Sequence, residues 1–569
     1  MKNFRRALVA GALVSCAAQP VSAKTLIYNQ CDGYGTPSGD GDGMTKPATQ
    51  LFGLIGTLGS AGNTRRSTPE LGAQGIAACD QALADERLSD KYWLRRASLL
   101  RARAVHDLAV GKPADALADL DKASAAIRTP DDHFVRRSMT LGIDFVRGIA
   151  LIAKGDRDRG LALIDSIHAQ RPFDRRLSLA ALAILNDDTS KLGETIAHDT
   201  AKLDPRFVSI IYESAFNRGD FAAVVALYPQ LKAPTKTGDI GISKWETRVQ
   251  DARRDAETIA FAAKSGGMYA YSLAALGRMD EARAALADAR SRADMATPAE
   301  MPPVPEGEKE GTKASIQRSM NTLLLNTGRK SVQLVDAWGK IIDLRAALAT
   351  SDSAKASEDI LHAKIPARGV AFDLVHQIAL KSPNDEKMKS LAAEIDAAQK
   401  APPKIDAQLT KLVFEAIPHA EIAQRVATYR KANSDFIGYL WGGVSGFKTI
   451  DGEAPNFVTV KFTGEKSSAS VVEEMTLLRA ADLARERGKS GFVILERRDY
   501  ERTVNTTYYG STLRSDPQGY STDLDIELVD VNAIPSQYRA VAWRVIAADK
   551  VVADLGPIYM GQPSATAAK

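Results

Sequence analysis

The stretch Tyr271–Ala289, YSLAALGRMDEARAALADA, decides how the larger part of this chain is read. Ala270, Leu273 and Ala274 recur on one side of a helix, Gly277 interrupts it, and Ala282, Leu286 and Ala289 then fall at the spacing of a second amphipathic helix. Gly277 supplies the sharp reversal between antiparallel partners, and Ala282 lets their backbones approach closely. A hairpin this small cannot bury its apolar face alone, so it must stack on other units like it.

Such units are present. Residues 146–172, VRGIALIAKGDRDRGLALIDSIHAQRP, place Gly148, Gly155, Gly160, Ile164, Ile167 and Pro172 at matching offsets. Residues 109–125 supply Gly111, Ala116, Leu120 and Ala123, and residues 213–231 supply Gly219, Val224 and Tyr228. This pattern of a glycine turn, an acidic residue, alanine and a large apolar residue resembles the tetratricopeptide repeat. The turn glycines lie 44, 64 and 58 residues apart rather than at a constant period, so the repeats are divergent, with extra helices between them. The resemblance implies a groove lined by first-helix residues in which a protein or peptide partner docks, with Tyr212, Phe216, Tyr269 and Tyr271 as candidates. The same aromatics also suit core packing.

The N-terminus is set apart from this fold. MKNFRR, the apolar run ALVAGALVSCAA and then QPVSA have the three parts of a secretory signal, with cleavage expected after Ala23. The competing reading is a lipobox, LVSC, in which Cys16 carries a lipid tether. Either places the chain in the periplasm or the outer envelope. No other stretch has the apolar length of a membrane span. Cys31 and Cys79 remain as an even pair in an oxidising compartment, and a disulfide is expected to contribute about 4 kcal/mol in the loop-entropy picture. Of the net charge of +4, three basic residues (Lys2, Arg5, Arg6) lie in the leader and leave about +1, which gives no footprint for nucleic acid. Arginine pairs such as Arg95–Arg96, Arg136–Arg137 and Arg175–Arg176 read as solvated helix faces.

Beyond residue 456 the alanine-rich helices give way to alternation. Phe457–Gly464, Gly491–Tyr500, Thr522–Val531 and Arg539–Ala548 read as strands; in the third, Leu524, Ile526 and Leu528 alternate with Asp523, Asp525 and Glu527. One helix, SVVEEMTLLRAADLARERGKS, lies between the first two and is closed by Gly488. Phe462, Gly464, Leu477, Leu478, Arg479, Ala480, Ala481, Gly488 and Phe492 together resemble a small domain of alpha-proteobacterial exported and lipoprotein-type proteins. That resemblance implies an envelope location and no reaction. Arg479 is read either as an anion contact or as a helix arginine whose stem covers apolar surface.

The fold class expected is mainly α, a helical-hairpin solenoid followed by a small α+β domain with one helix on a mostly antiparallel sheet. The expected order is a signal peptide (1–23), a glycine-rich segment (24–64), the helical array (65–435, with loops near 232–243 and 300–313), a linker (436–456), the α+β domain (457–560) and a tail (561–569). The seven histidines show no metal-ligand spacing, and no nucleophile, phosphate-loop or dinucleotide motif is present. In the glycine-rich segment, Asp32, Asp40 and Asp42 invite a calcium reading, but Ser38 and Thr49 stand where ligands belong. Asp131–Asp132 and Glu473–Glu474 read as ordinary solvated pairs. The expectation is therefore a non-catalytic exported scaffold or adaptor with no cofactor or metal. The alternatives are an envelope enzyme acting on cell-wall material, with its site assembled near Trp441, or a small-molecule sensor using the C-terminal domain.

Overall fold

The computed structural model describes residues 23–39, 41–44, 69–185, 190–231, 244–295, 311–350, 358–360, 368–382, 384–400, 405–418, 420–432, 445–465, 467–508 and 511–560. The leader with Cys16, the loop 232–243, residues 300–310, the Trp441 turn and the tail 561–569 lie outside the described residues.

Four helical hairpins form where the sequence places them: Trp93–Ala109 with Pro113–Ala126, Leu141–Lys154 with Arg157–Gln170, Val208–Asn217 with Phe221–Leu227, and Lys244–Ala275 with Met279–Met295. Gly111, Gly155, Gly219 and Gly277 turn them with φ of 75°, 99°, 76° and 79°. Space around each is open, so the left-handed backbone alone demands glycine. Asp220 caps the short helix after Gly219 by accepting from the Ala223 N–H at 3.1 Å.

One apolar core runs through the hairpins of residues 94–196, and a second through residues 197–388, where Phe216 meets Tyr271 and Trp338 edge to face. The long helix Thr312–Thr350 lies along Lys244–Ala275. The array then closes on itself: the helix Ala407–Ala416 packs back on Trp93–Ala109 and Arg175–Leu185. Cys31 and Cys79 are joined by a disulfide, with 4.7 Å between their Cα atoms, and tie the first helix, Ala23–Asp32, to Ala73–Leu83.

The C-terminal part is a five-stranded antiparallel sheet of β1 (Gly446–Asp451), β2 (Phe457–Gly464), β3 (Gly491–Tyr508), β4 (Ser511–Val529) and β5 (Ile546–Ala547), in the order β1-β2-β4-β3-β5. Two helices, Ala469–Glu486 and Ala548–Tyr559, cover one face. Two expectations are corrected. The stretch read as a linker contains β1, paired with β2 from Gly446↔Thr463 to Asp451↔Val458. The stretch Arg539–Ala548, read as a strand, is instead the end of a 3-10 turn (Ser536–Arg544), two residues of β5 and the start of a helix. Tyr538 and Val541 both enter the second helical core, and the backbone kinks at Val541 (φ −130°, ψ 37°), so the segment is not an extended strand.

The candidate interdomain site

A bulge in β3 builds the junction between the two parts. Phe492 and Ile494 face the helices that cover the sheet, opposite Leu528 and Ile526. Unbroken alternation would next bring Glu496 to that face. The register shifts between Ile494 and Glu496, so Arg497 comes to lie opposite Leu524 and Asp499 opposite Thr522, on the covered face. Two charges thereby enter a layer otherwise filled by hydrophobic side chains.

Their partners arrive from both parts of the chain. The turn after Arg157–Gln170 carries Arg171 and Asp174, the helix Arg175–Leu185 opens with Arg175 and Arg176, and Asp174 caps that helix by accepting from the Arg176 and Leu177 N–H groups at 3.1 Å each. The helix Ala469–Glu486 supplies Glu473 and Glu474, about 100° apart around its axis, so each reaches a different group of arginines.

Around Glu474, Arg171 Nε donates to Oε1 at 2.7 Å and Arg171 Nη2 to Oε2 at 3.2 Å, while Arg137 Nη2 donates to Oε1 at 2.9 Å. Tyr559 Oη also donates to this carboxylate. Arg137 is delivered by a single π-turn, Arg136–Thr140, an irregularity with no signature in residue spacing. Glu421 closes this group, accepting from Ser468 Oγ at 2.7 Å and lying 3.5 Å from Arg171 Nη2. Around Glu473, Arg176 Nε donates at 2.9 Å and Arg497 Nη2 stands at 2.6 Å. Asp499 accepts from Arg175 Nη2 at 2.9 Å, from Arg497 Nε at 2.9 Å and from Thr522 Oγ1 at 2.8 Å.

Arg171, Asp174, Glu421, Glu473 and Glu474 are all buried. Burial by itself would raise the carboxyl pKa of Glu474, but Arg137 and Arg171 overcome it and bring the group down to about 2. In the same way burial opposes, and Arg497 and Arg175 reverse, the shift at Glu473 and Asp499, which are held below the usual carboxylate range. Asp174 and Glu421 go the other way: burial raises both, only partly offset by Arg171. Neither of these two lines the open cleft beside the junction.

That cleft has a volume of about 370 Å³. Its helical wall includes Arg176, Lys411, Phe414 and Glu415, and its sheet wall includes Asp499, Tyr500, Tyr520 and Thr522. The surface is mixed in charge, with aromatic rings between the charges.

The residues singled out from sequence fall elsewhere. Tyr212, Phe216 and Tyr271 are fully buried, so they do not line an open groove; Tyr212 donates to the Ser265 carbonyl at 2.6 Å. Tyr269 stacks on Tyr228 with 4.1 Å between ring centroids. The two helices that carry them, Val208–Asn217 and Lys244–Ala275, face the second core, which is why first-helix aromatics are used up in packing. Arg479 donates to both carboxylate oxygens of Glu486, at 2.5 and 2.8 Å, and lies 4.6 Å over the Phe447 ring. Its charge is paired, so it is neither a wet head nor an open anion contact.

The solvated reading is also corrected for Glu473–Glu474, for Arg95, which is buried against Asp32, and for Arg175. Asp32 and Asp42, considered for calcium, are committed to Arg95 and Arg425. Among the described residues no group of three or more His, Cys, Asp or Glu is placed to hold a metal ion, and no helix is long and apolar enough to cross a membrane. Comparison of the chain with protein-family models, with curated proteins and with solved structures finds no match.

Proposed function

We propose that this chain is a non-catalytic exported scaffold or adaptor of the cell envelope, related to the tetratricopeptide-repeat proteins, which holds a protein or peptide partner at the cleft between its two parts. One observation carries the reading: Glu473, Glu474 and Asp499 are each spent on arginines of the helical part. A general acid working near neutral pH needs a raised pKa and access to substrate. Two carboxylates that line the cleft, Glu473 and Asp499, are shifted downward, and Asp174 and Glu421, which are shifted upward at the junction, do not line it. The junction charges thus fix the orientation of the two parts, and the cleft walls offer mixed charge and aromatic rings to a polar segment of a partner.

An envelope enzyme draws on the same cleft, which is polar and interdomain. The downward shifts of Glu473 and Asp499 weigh against proton transfer by those two groups.

Photo-crosslinking residues placed at Lys411 and Tyr500 of the full chain in intact cells, followed by affinity capture and mass spectrometry, test the reading. The same protein should be captured from both positions, and the charge reversal Lys411→Glu with Glu415→Lys should reduce its yield at least about tenfold, the effect of roughly 1.4 kcal/mol in binding. Capture of no protein, or yields indifferent to the reversal, would overturn it. Point changes in the cleft are used rather than removal of the C-terminal part, because that part carries Glu474 and Asp499, partners of Arg137, Arg171 and Arg175.

A further inference from the structure

His106, on the helix Trp93–Ala109, is fully buried between the two helices that the disulfide joins. On one side its Nε2 lies 2.8 Å from the Cys31 carbonyl; a carbonyl only accepts, so Nε2 carries the ring proton. On the other side a Cβ on Gly75 would collide with Cε1 and Nδ1, so glycine there leaves the notch that receives the ring edge. Nδ1 is then the accepting nitrogen, and it has no hydrogen-bond partner among the described residues. The ring also packs on Phe414, with 4.9 Å between centroids. Phe414 belongs to the helix Ala407–Ala416 and lines the cleft.

A second proton on this ring would put an N–H donor and a positive charge at Nδ1, where the notch offers no acceptor within hydrogen-bond distance. The groups around it do not supply one. Asp32, on the first helix, favours the protonated ring but is committed to Arg95 and to Ser98 Oγ, which donates at 2.9 Å. The Glu70 carbonyl borders Gly75 without pairing with Nδ1. Asp80, on Ala73–Leu83, pairs with Arg103, while Lys411 and Glu415, on Ala407–Ala416, face each other at 3.9 Å. On the ring's own helix Arg101 donates to the Pro418 carbonyl at 3.2 Å, and Asp107 has a carboxyl pushed up to about 6 by burial. Asp107 titrates with the opposite sign, since a raised carboxyl gains stability as pH falls. For His106 burial is the largest influence and lowers the ring below its ordinary pKa.

We propose that His106 is an acid-operated latch on the helical wall of the cleft: neutral, it holds the disulfide-linked helices and Phe414 together, and protonated, it leaves its notch and loosens the helix Ala407–Ala416. The consequence rests on the reading of the cleft as the partner site, because a wall that loosens in acid releases what it holds. The sign follows from linkage. A released histidine takes up a proton near pH 6.5 and the seated ring does not, so closure is fully present above that pH and weakens below it, by at most about tenfold in the opening equilibrium per pH unit.

Hydrogen exchange of the full chain between about pH 7.5 and about pH 5, corrected for the intrinsic rate, tests the latch. Amides of Ala407–Ala416 and Ala23–Asp32 should lose protection below about pH 6.5, approaching tenfold per pH unit. His106→Gln keeps an N–H donor for the Cys31 carbonyl but takes up no proton, so it should lose that response although Asp107 is unchanged. In the unmodified chain, nitrogen-15 shifts of labelled histidine should show His106 protonated on Nε2 alone and still neutral at about pH 6. Wall protection indifferent to pH, an equal response in the variant, or a ring that titrates at or above about pH 6.5 would overturn the proposal, the last of these whether or not the variant folds. Photo-crosslinked capture from Lys411 and Tyr500 keeps the two readings apart. No partner at about pH 7.5 strikes the partner reading and leaves the latch standing, whereas a partner held equally at about pH 7.5 and about pH 5.5 overturns its release in acid.

Discussion

Glu474 shows at the scale of one residue how this molecule uses charge. Its carboxylate, buried and bound by Arg137, Arg171 and Tyr559, has a pKa near 2, below the roughly 4.3 of an unfolded glutamate. A depressed carboxyl pKa contributes stability that is present above the unfolded value and lost as pH falls through the folded one. Urea midpoints should therefore show Glu474→Gln much weaker than the parent at pH 6, and the gap should close between about pH 4 and pH 2. A gap independent of pH would show that the charge is not what matters. At pH 6, Arg171→Met alone should cost about 3–5 kcal/mol, because it leaves Glu474 with less compensation. Pairing it with Glu474→Leu should cost less than the sum of the two single changes, since both charges are then removed together. Gly267 makes a packing counterpart: a Cβ there would stand 2.1 Å from the Trp338 ring, so Gly267→Ala should lower the urea midpoint through overpacking by roughly 1–3 kcal/mol.

At the scale of the element, the hairpin turns and the disulfide are local devices with separable costs. Gly155 sits at φ 99° with nothing near its absent Cβ, so Gly155→Ala should lose about 1–2 kcal/mol by backbone strain alone, measured by urea unfolding. A neutral result would mean that the turn relaxes into another conformation. Replacing Cys31 and Cys79 by alanine should cost about 4 kcal/mol in the loop-entropy picture, with the helices Ala23–Asp32 and Ala73–Leu83 losing amide protection first. These elements were legible in residue order because their causes are local: glycine for positive φ, alanine for close helices, alternation for β2 and β4. The segment Arg539–Ala548 was not legible, since its alternating pattern reports burial against a helical core that no local window contains.

The whole molecule behaves as one body to the extent that its junction holds. The second helical core takes in Val493, Val529, Tyr538 and Val541 from the C-terminal part, and Phe134 and Leu203 of the helical part enter the core of the sheet domain. With the arginine network between them, the two parts should unfold in a single calorimetric transition. Glu473→Gln with Glu474→Gln should split it into two, whereas two transitions in the unmodified chain would show that the interface does not couple them.

By itself the sequence determined the helical hairpins, their glycine breaks, the pairable cysteines and most of the sheet, because each depends on residues within about one helix or strand of one another. The junction depended on tertiary structure. Arg137, Arg171 and Arg175 stand some 300 residues from Glu473, Glu474 and Asp499, and only a π-turn, a helix cap and a β-bulge bring them to within hydrogen-bond distance. In the sequence these residues look like solvated charges. Folding removes the water, and each then needs a partner that only the assembled interior can supply.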